Sequence, residues 1–178
     1  MKILSLLVLL CAFLVLTQTA ELGKAEAGPG EEQAEAEAIE ESHVAKRAVY
    51  CPSGWAKYGS RCYYYVSASY TWAQAENYCV SQGGNLASVH SAGEYSWLQS
   101  YILSRTRGYP MTWIGGSDSE QEQYWFWSDG SRLSYRNFCA GMPRSNTGLN
   151  CIVMNASGCR CWFDYPCSYR YPFVCVRK

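Results

Sequence analysis

The chain has 178 residues, 48% of them hydrophobic and 17% charged, with 15 basic side chains matched by 15 acidic ones and a formal net charge of zero. That apolar content is enough to bury one real core and excludes a disordered polar chain. Ten cysteines mean a disulfide framework in an oxidising compartment and metal or redox chemistry in a reducing one, so the compartment has to be settled first.

Residues 1–16 carry Lys2 and then an almost unbroken apolar run containing Cys11. This is the pattern of a secretory h-region, too short for a spanning helix, and it predicts a signal peptide over 1–20 with cleavage near Ala20. No later stretch approaches the roughly 18 apolar residues a membrane helix needs, so no membrane insertion is expected. Residues 21–47 are rich in Ala, Glu and Gly, hold no aromatic residue, and end in the dibasic pair Lys46-Arg47. Such a composition buries too little apolar surface to offset its ordering entropy. It is read as an acidic propeptide cut after Arg47, the alternative being a retained tail. What remains, residues 48–178, holds 11 Lys and Arg against 7 Asp and Glu, a mildly basic domain. That surplus is too small and too scattered for a nucleic-acid partner, but it favours attraction to anionic surfaces.

Within this domain, short strands are expected around Trp55 and over 63–66. A helix follows over 71–82, with Trp72, Ala75 and Cys79 on one face and Gly83-Gly84 as its stop. A second helix starts at Ser91, where Ser91 and Glu94 form a capping-box signature. Its apolar face is Tyr95, Leu98, Tyr101 and Ile102, and Gly108-Tyr109-Pro110 closes it. Beyond Pro110, strands are expected over 112–115, 124–127, 151–154 and 173–176, with a long structureless stretch from about Ser131 to Asn150. Loops of that length are usually functional. Two early helices and a late antiparallel sheet make an α+β domain.

The order of motifs is distinctive: Cys51-Pro52-Ser53-Gly54-Trp55, the run 58–62, Trp72 to Cys79, Gly83-Gly84-Asn85-Leu86-Ala87-Ser88, Trp113-Ile114-Gly115-Gly116, Trp127-Ser128-Asp129-Gly130, Cys151, the run 162–167, and Cys175. Together they resemble a C-type lectin-like domain across essentially all of 51–178. The tract from Tyr124 to Cys139 is most similar to secreted fish lectins and type II antifreeze proteins. The resemblance implies a disulfide-stabilised fold of two helices, antiparallel sheets and a long loop region. It also implies the pairs Cys51 with Cys62, Cys79 with Cys175, Cys151 with Cys167 and, as in the fish subset, Cys139 with Cys161. Cys159 is then left over as an interchain candidate, and an arrangement with Cys159 in place of Cys161 stays open.

Calcium-dependent members of the family supply oxygen ligands from two triplets and an intervening glutamate. Here the first triplet aligns with Met142-Pro143-Arg144, the glutamate with Leu149, and the last triplet with Trp162-Phe163-Asp164. Calcium takes six to eight oxygens, and only Asp164 keeps a carboxylate, so no calcium and no other cofactor is expected. Pro143 is read as a loop-shaping residue, cis as in relatives, and Trp162 as core. Arg144, Asn146, Asn150, Asp164 and Tyr165, with Tyr169 and Tyr171 nearby, are the candidates for binding sugar hydroxyls without a metal.

Other constellations are weaker. His90 has no motif offering a nucleophile and an orienting partner, so an enzyme is not expected. Cys159-Arg160-Cys161 lacks four-ligand zinc spacing. Asn155-Ala156-Ser157 is a glycosylation sequon. By resemblance, the expected function is a secreted calcium-independent lectin for galactose- or lactose-type sugars, an agglutinin of innate defence. It would bind glycans on microbial surfaces and gain avidity as a disulfide-linked homodimer. The alternatives are an ice-binding type II antifreeze protein and a protein-binding lectin-like module. Against ice binding stand the domain's few threonines (Thr71, Thr106, Thr112 and Thr147), the exposed charges of Arg144 and Arg160, and the missing cysteines at 117–119 and at Asn150.

Overall fold

The structure, a computed structural model, describes residues 50–145 and 148–178. The expected signal peptide, the expected propeptide and Asn146 lie outside the described residues, which all belong to one compact unit, Ala48–Lys178. Its elements run β1 (Ala56–Tyr58), β2 (Arg61–Tyr70), α1 (Trp72–Ser81), β3 (Asn85–Leu86), α2 (Ala92–Thr106), β4 (Thr112–Ser117), β5 (Phe126–Trp127), β6 (Cys151–Ala156), β7 (Cys161–Tyr165) and β8 (Tyr171–Arg177).

All eight strands join one sheet in the order β1-β2-β8-β4-β6-β7, with β3 also on β8 and β5 also on β4. The sheet is mixed, because β4 meets β8 in parallel at Trp113 and Phe173 while the other pairs are antiparallel. The expectation of a purely antiparallel late sheet is corrected in that respect, and the early strand β2 belongs to the same sheet.

Side chains alternate across a strand, and here both faces are buried. Tyr63, Ile114, Ile152, Met154, Val174 and Val176 point into one core with Tyr95, Leu98 and Ile102 of α2. Their neighbours Trp113, Cys151, Val153, Phe173 and Cys175 point into a second core with Ala75 and Cys79 of α1. A strand covered on both faces reads as a continuous apolar run, which is why β4, β6 and β8 stood out in the sequence. β7 did not, since Asp164 interrupts it; its place is fixed by pairing with β6, from Cys151 opposite Tyr165 to Ala156 opposite Cys161.

Both helices begin on side-chain caps. Thr71 Oγ1 accepts from the Gln74 N–H and Gln74 Oε1 accepts from the Thr71 N–H, a full capping box. At α2 only half of the expected box forms. Ser91 Oγ accepts from the Glu94 N–H at 3.1 Å, but the Glu94 carboxylate turns inward, taking hydrogen bonds from Arg61, from the Tyr63 hydroxyl and, at 2.6 Å, from the His90 N–H. α2 ends at Arg107, whose left-handed φ of 59° makes it the cap one residue before Gly108.

Bonds join Cys51 to Cys62, Cys79 to Cys175, Cys139 to Cys161 and Cys151 to Cys167. Gly84 is required where α1 returns to the sheet, since a Cβ there would lie 2.1 Å from the Val176 carbonyl oxygen. The stretch after β5 has irregular backbone with two isolated bridges, Phe126 with Arg132 and Phe138 with Trp162. Its inward side chains, Leu133, Tyr135 and Phe138, nonetheless pack on the core. Trp162 is fully buried, and Tyr95, Trp127, Tyr135 and Phe138 meet it edge-on with centroids 5.6–5.8 Å away.

Burial pushes the Glu94 carboxyl up, but the hydrogen bonds from Tyr63, Arg61 and the His90 backbone outweigh it and hold the group below its ordinary value. A depressed carboxyl stabilises the fold fully above its unfolded value of about 4, and that contribution is lost as pH falls through the lower folded value. Thermal melts between pH 7 and pH 2 should therefore show a steep acid loss. Glu94→Gln should lower stability at pH 7 by about 3 kcal/mol and flatten that slope. An unchanged slope in the variant would assign the acid sensitivity elsewhere.

Candidate functional site

The long loop is anchored by a buried carboxylate. Asp118, at the end of β4, accepts the Gln123 N–H at Oδ2 (2.8 Å) and the Asn150 amide at Oδ1 (2.9 Å), while the Asp118 N–H donates to the Asn150 carbonyl at 3.1 Å. Asn150 Oδ1 in turn accepts from the Gly148 N–H. These bonds close the two ends of the loop on each other. Within it the Met142-Pro143 peptide is cis, and Arg144 then reaches Asp164 on β7. The Arg144 N–H donates to Asp164 Oδ2 at 2.9 Å, its guanidinium Nε lies 3.5 Å from the same oxygen, and its Nη2 donates to the Asp164 carbonyl at 3.2 Å.

The sugar candidates are thus not one surface. Arg144 is exposed, while Asp164 is fully buried and Asn150 half-buried, with both amide atoms of Asn150 committed inside the loop. Tyr165 follows Asp164 on β7 and so faces the other side of the sheet, packing edge-on against Tyr169 and Tyr171 beside the α1 core. The sequence places these residues close in number, and the pleat separates them. Asp164 and Asn150 shape the loop, and Arg144 is the group presented to solvent.

The donor set does not fit calcium. Met142, Leu149 and Phe163 bring no side-chain oxygen, the Asn150 oxygen is taken by Gly148, and the one carboxylate already faces a guanidinium. Asp164 Oδ1 is buried with no hydrogen-bond partner, a single oxygen where calcium needs six to eight.

A second polar group went unseen in the sequence because its members come from three chain segments. Ser88 Oγ donates to Asp129 Oδ2 at 2.5 Å, accepts from Arg61 at 2.7 Å and lies 3.1 Å from His90 Nε2, and Ser131 caps the other Asp129 oxygen at 2.5 Å. Burial raises the Asp129 carboxyl, but the Ser131 and Ser88 hydrogen bonds hold it below its ordinary value. His90 therefore has a serine beside it, yet the aspartate orients the serine and not the imidazole, and Ser88 is fully buried. The arrangement joins the β2, α2 and β5 regions and offers no route for a substrate to that hydroxyl.

At the β6–β7 hairpin, Cys159 is free and exposed, with its Sγ 3.0 Å from Cys161 Sγ and 3.0 Å from Ser157 Oγ. The sequon residue Asn155 is only 5% exposed; its Nδ2 donates to the Pro110 carbonyl and its Oδ1 accepts from Gln99.

Comparison with known proteins bears on what this loop is. A family model for the lectin C-type domain matches residues 68–177. Ladderlectin of Oncorhynchus mykiss is 44% identical over 129 residues, covering 72% of this chain and 68% of that protein. Galactose-specific lectin nattectin of Thalassophryne nattereri is 36% identical over 139 residues, covering 77% and 87%. Among solved structures, the herring type II antifreeze protein aligns with a TM-score of 0.68 at 31% identity, covering 71% of this chain and 98% of its own.

Burial of Asn155 has a direct readout. Protein secreted from a glycosylating cell should show no mass shift on treatment with peptide N-glycosidase, and a shift abolished by Asn155→Gln would contradict the buried placement.

Proposed function

The chain belongs to the C-type lectin domain family, and from that premise we propose that it is a secreted, calcium-independent lectin for galactose-type sugars that agglutinates microbial surfaces. One observation carries the calcium independence: the Arg144 guanidinium stands against Asp164, where the family would place a metal. In this reading Arg144 donates to sugar hydroxyls, Asn146 is a further candidate for the same role, Asp164 and Asn150 hold the loop in shape, and Tyr165, on the opposite side of the sheet, takes no part in that contact. Galactose as the sugar is supported by the similarity to nattectin, a galactose-specific lectin. Secretion is supported by the leading apolar run and the four disulfides, and among the described residues no helix is long and apolar enough to cross a membrane.

A single sugar site binds weakly, and linking two sites raises avidity without new contacts. We therefore assign Cys159 to a covalent homodimer, since it is the free cysteine among the described residues and is exposed. A second reading, ice binding, is favoured by the alignment with the herring antifreeze protein; measurable thermal hysteresis of the purified protein would establish it in place of the lectin.

Agglutination should persist in EDTA, be reversed by lactose, and fall at least roughly tenfold in Arg144→Ala. Loss of agglutination on chelation, restored by calcium, would overturn the metal-free reading. On a non-reducing gel the protein should run as a dimer that becomes a monomer in Cys159→Ser, with agglutination lost in the variant; a dimer band that survives the substitution would remove Cys159 from the interface.

A further inference from the structure

The tract after β4 holds a second surface, which meets the loop around Arg144 at Gln123, whose amide donates to the Arg144 carbonyl at 3.4 Å. Tyr124 and Phe126 are 59% and 54% exposed, while Trp125 and Trp127 between and after them are buried. The chain then turns through Asp129 and Gly130, where Gly130 has a φ of 76° and donates its N–H to the Trp127 carbonyl at 2.9 Å. It returns antiparallel with Arg132 directly opposite Phe126. Opposed residues point to one face, so the Arg132 guanidinium and the Phe126 ring share a side. The alternation continues, with Leu133 buried and Arg132, Ser134 and Arg136 exposed.

These side chains line a cleft of about 510 Å³ that also takes in Gly130 and Gln123, a size within the roughly 300 to 1,000 Å³ of small-molecule sites. Among the described residues the ion pairs are Arg61 with Glu94 and Arg144 with Asp164, so Arg132 and Arg136 have no carboxylate of their own. Two unpaired guanidiniums beside two solvent-facing rings form an incomplete arrangement. The forks call for a planar or tetrahedral oxyanion, and the rings call for a flat, partly apolar body such as the C–H face of a pyranose.

We propose that this cleft binds a saccharide bearing an anionic substituent, with the carboxylate or sulfate clasped by Arg132 and Arg136 and the sugar ring laid against Tyr124 and Phe126. The requirement for an anion stands on the arginines alone. The choice of a sugar as its carrier rests on the lectin reading given above.

The test titrates the full chain, in EDTA and low salt, with sialyllactose, with a sulfated heparin-derived disaccharide, with lactose and with inorganic sulfate. One or both anionic sugars should bind more tightly than lactose and than sulfate, and should weaken as salt rises. The carboxylated arm and the sulfated arm identify which anion the cleft prefers. Arg132→Ala with Arg136→Ala should cost roughly tenfold or more in that affinity, and Phe126→Ala several-fold. All three residues are exposed, so near-UV circular dichroism should be unchanged. Lactose binding and its dependence on Arg144 should survive these variants, which keeps this site's failure separate from failure of the neutral-sugar reading. Neither anionic sugar binding, or binding retained in the double arginine variant, would overturn the site. Inorganic sulfate competing as well as the sugars would overturn the saccharide as its ligand.

Discussion

Strand β8 is the constraint on which everything else depends. It lies between β2 and β4, takes β3 on the same stretch that pairs with β2, and is tied to α1 through Cys175 and Cys79. Its alternate residues supply both cores, Phe173 and Cys175 to one and Val174 and Val176 to the other. Because β8 follows every other strand in the chain, neither core can close until that segment docks. Contacts this distant in sequence make for slow folding, in which early hairpins wait for their central partner. The Cys79–Cys175 bond then closes the longest loop of the four, with a separation of 96 residues, and removes the most freedom from the unfolded chain.

The sequence made the helices legible because their caps and stops are local. Thr71, Ser91 and Gly83-Gly84 act on neighbours within one turn, and the structure places the ends within a residue or two of where those signals fall. Strands β4, β6 and β8 were legible because two-sided burial leaves an uninterrupted apolar run. β7 was not, since its polar Asp164 is buried through a partner 20 residues away, which no local window contains. The same limit explains Glu94, whose spacing from Ser91 fits a cap but whose carboxylate answers to Arg61 and Tyr63 of β2. It also explains Ser88, His90 and Asp129, brought together from separate segments. The sugar candidates were legible as a cluster in number, whereas their division between two sides of β7 follows from strand pleating and the register with β6.

The loop around Arg144 is held in shape by contacts that the chain itself supplies. Asp118 and Asn150 close the loop by neutral and charge-assisted hydrogen bonds, and Arg144 meets Asp164 with both backbone and side chain. A guanidinium carried by the chain itself is always present at unit stoichiometry and needs no dehydration of a free ion. Its planar fork demands a partner in a fixed position, and Asp164, fully buried on β7, provides one.

The alternating strip from Tyr124 to Arg136 has a consequence for how this chain can change over generations. Its inward residues, Trp125, Trp127, Leu133 and Tyr135, belong to the core around Trp162, so substitutions there are felt by the whole domain. Its outward residues, Tyr124, Phe126, Arg132 and Arg136, are exposed. Folding and recognition are therefore encoded in interleaved positions of one short segment, like two messages written on alternate lines. Selection can rewrite one and leave the other intact, so a new ligand preference can arise here at almost no cost in stability.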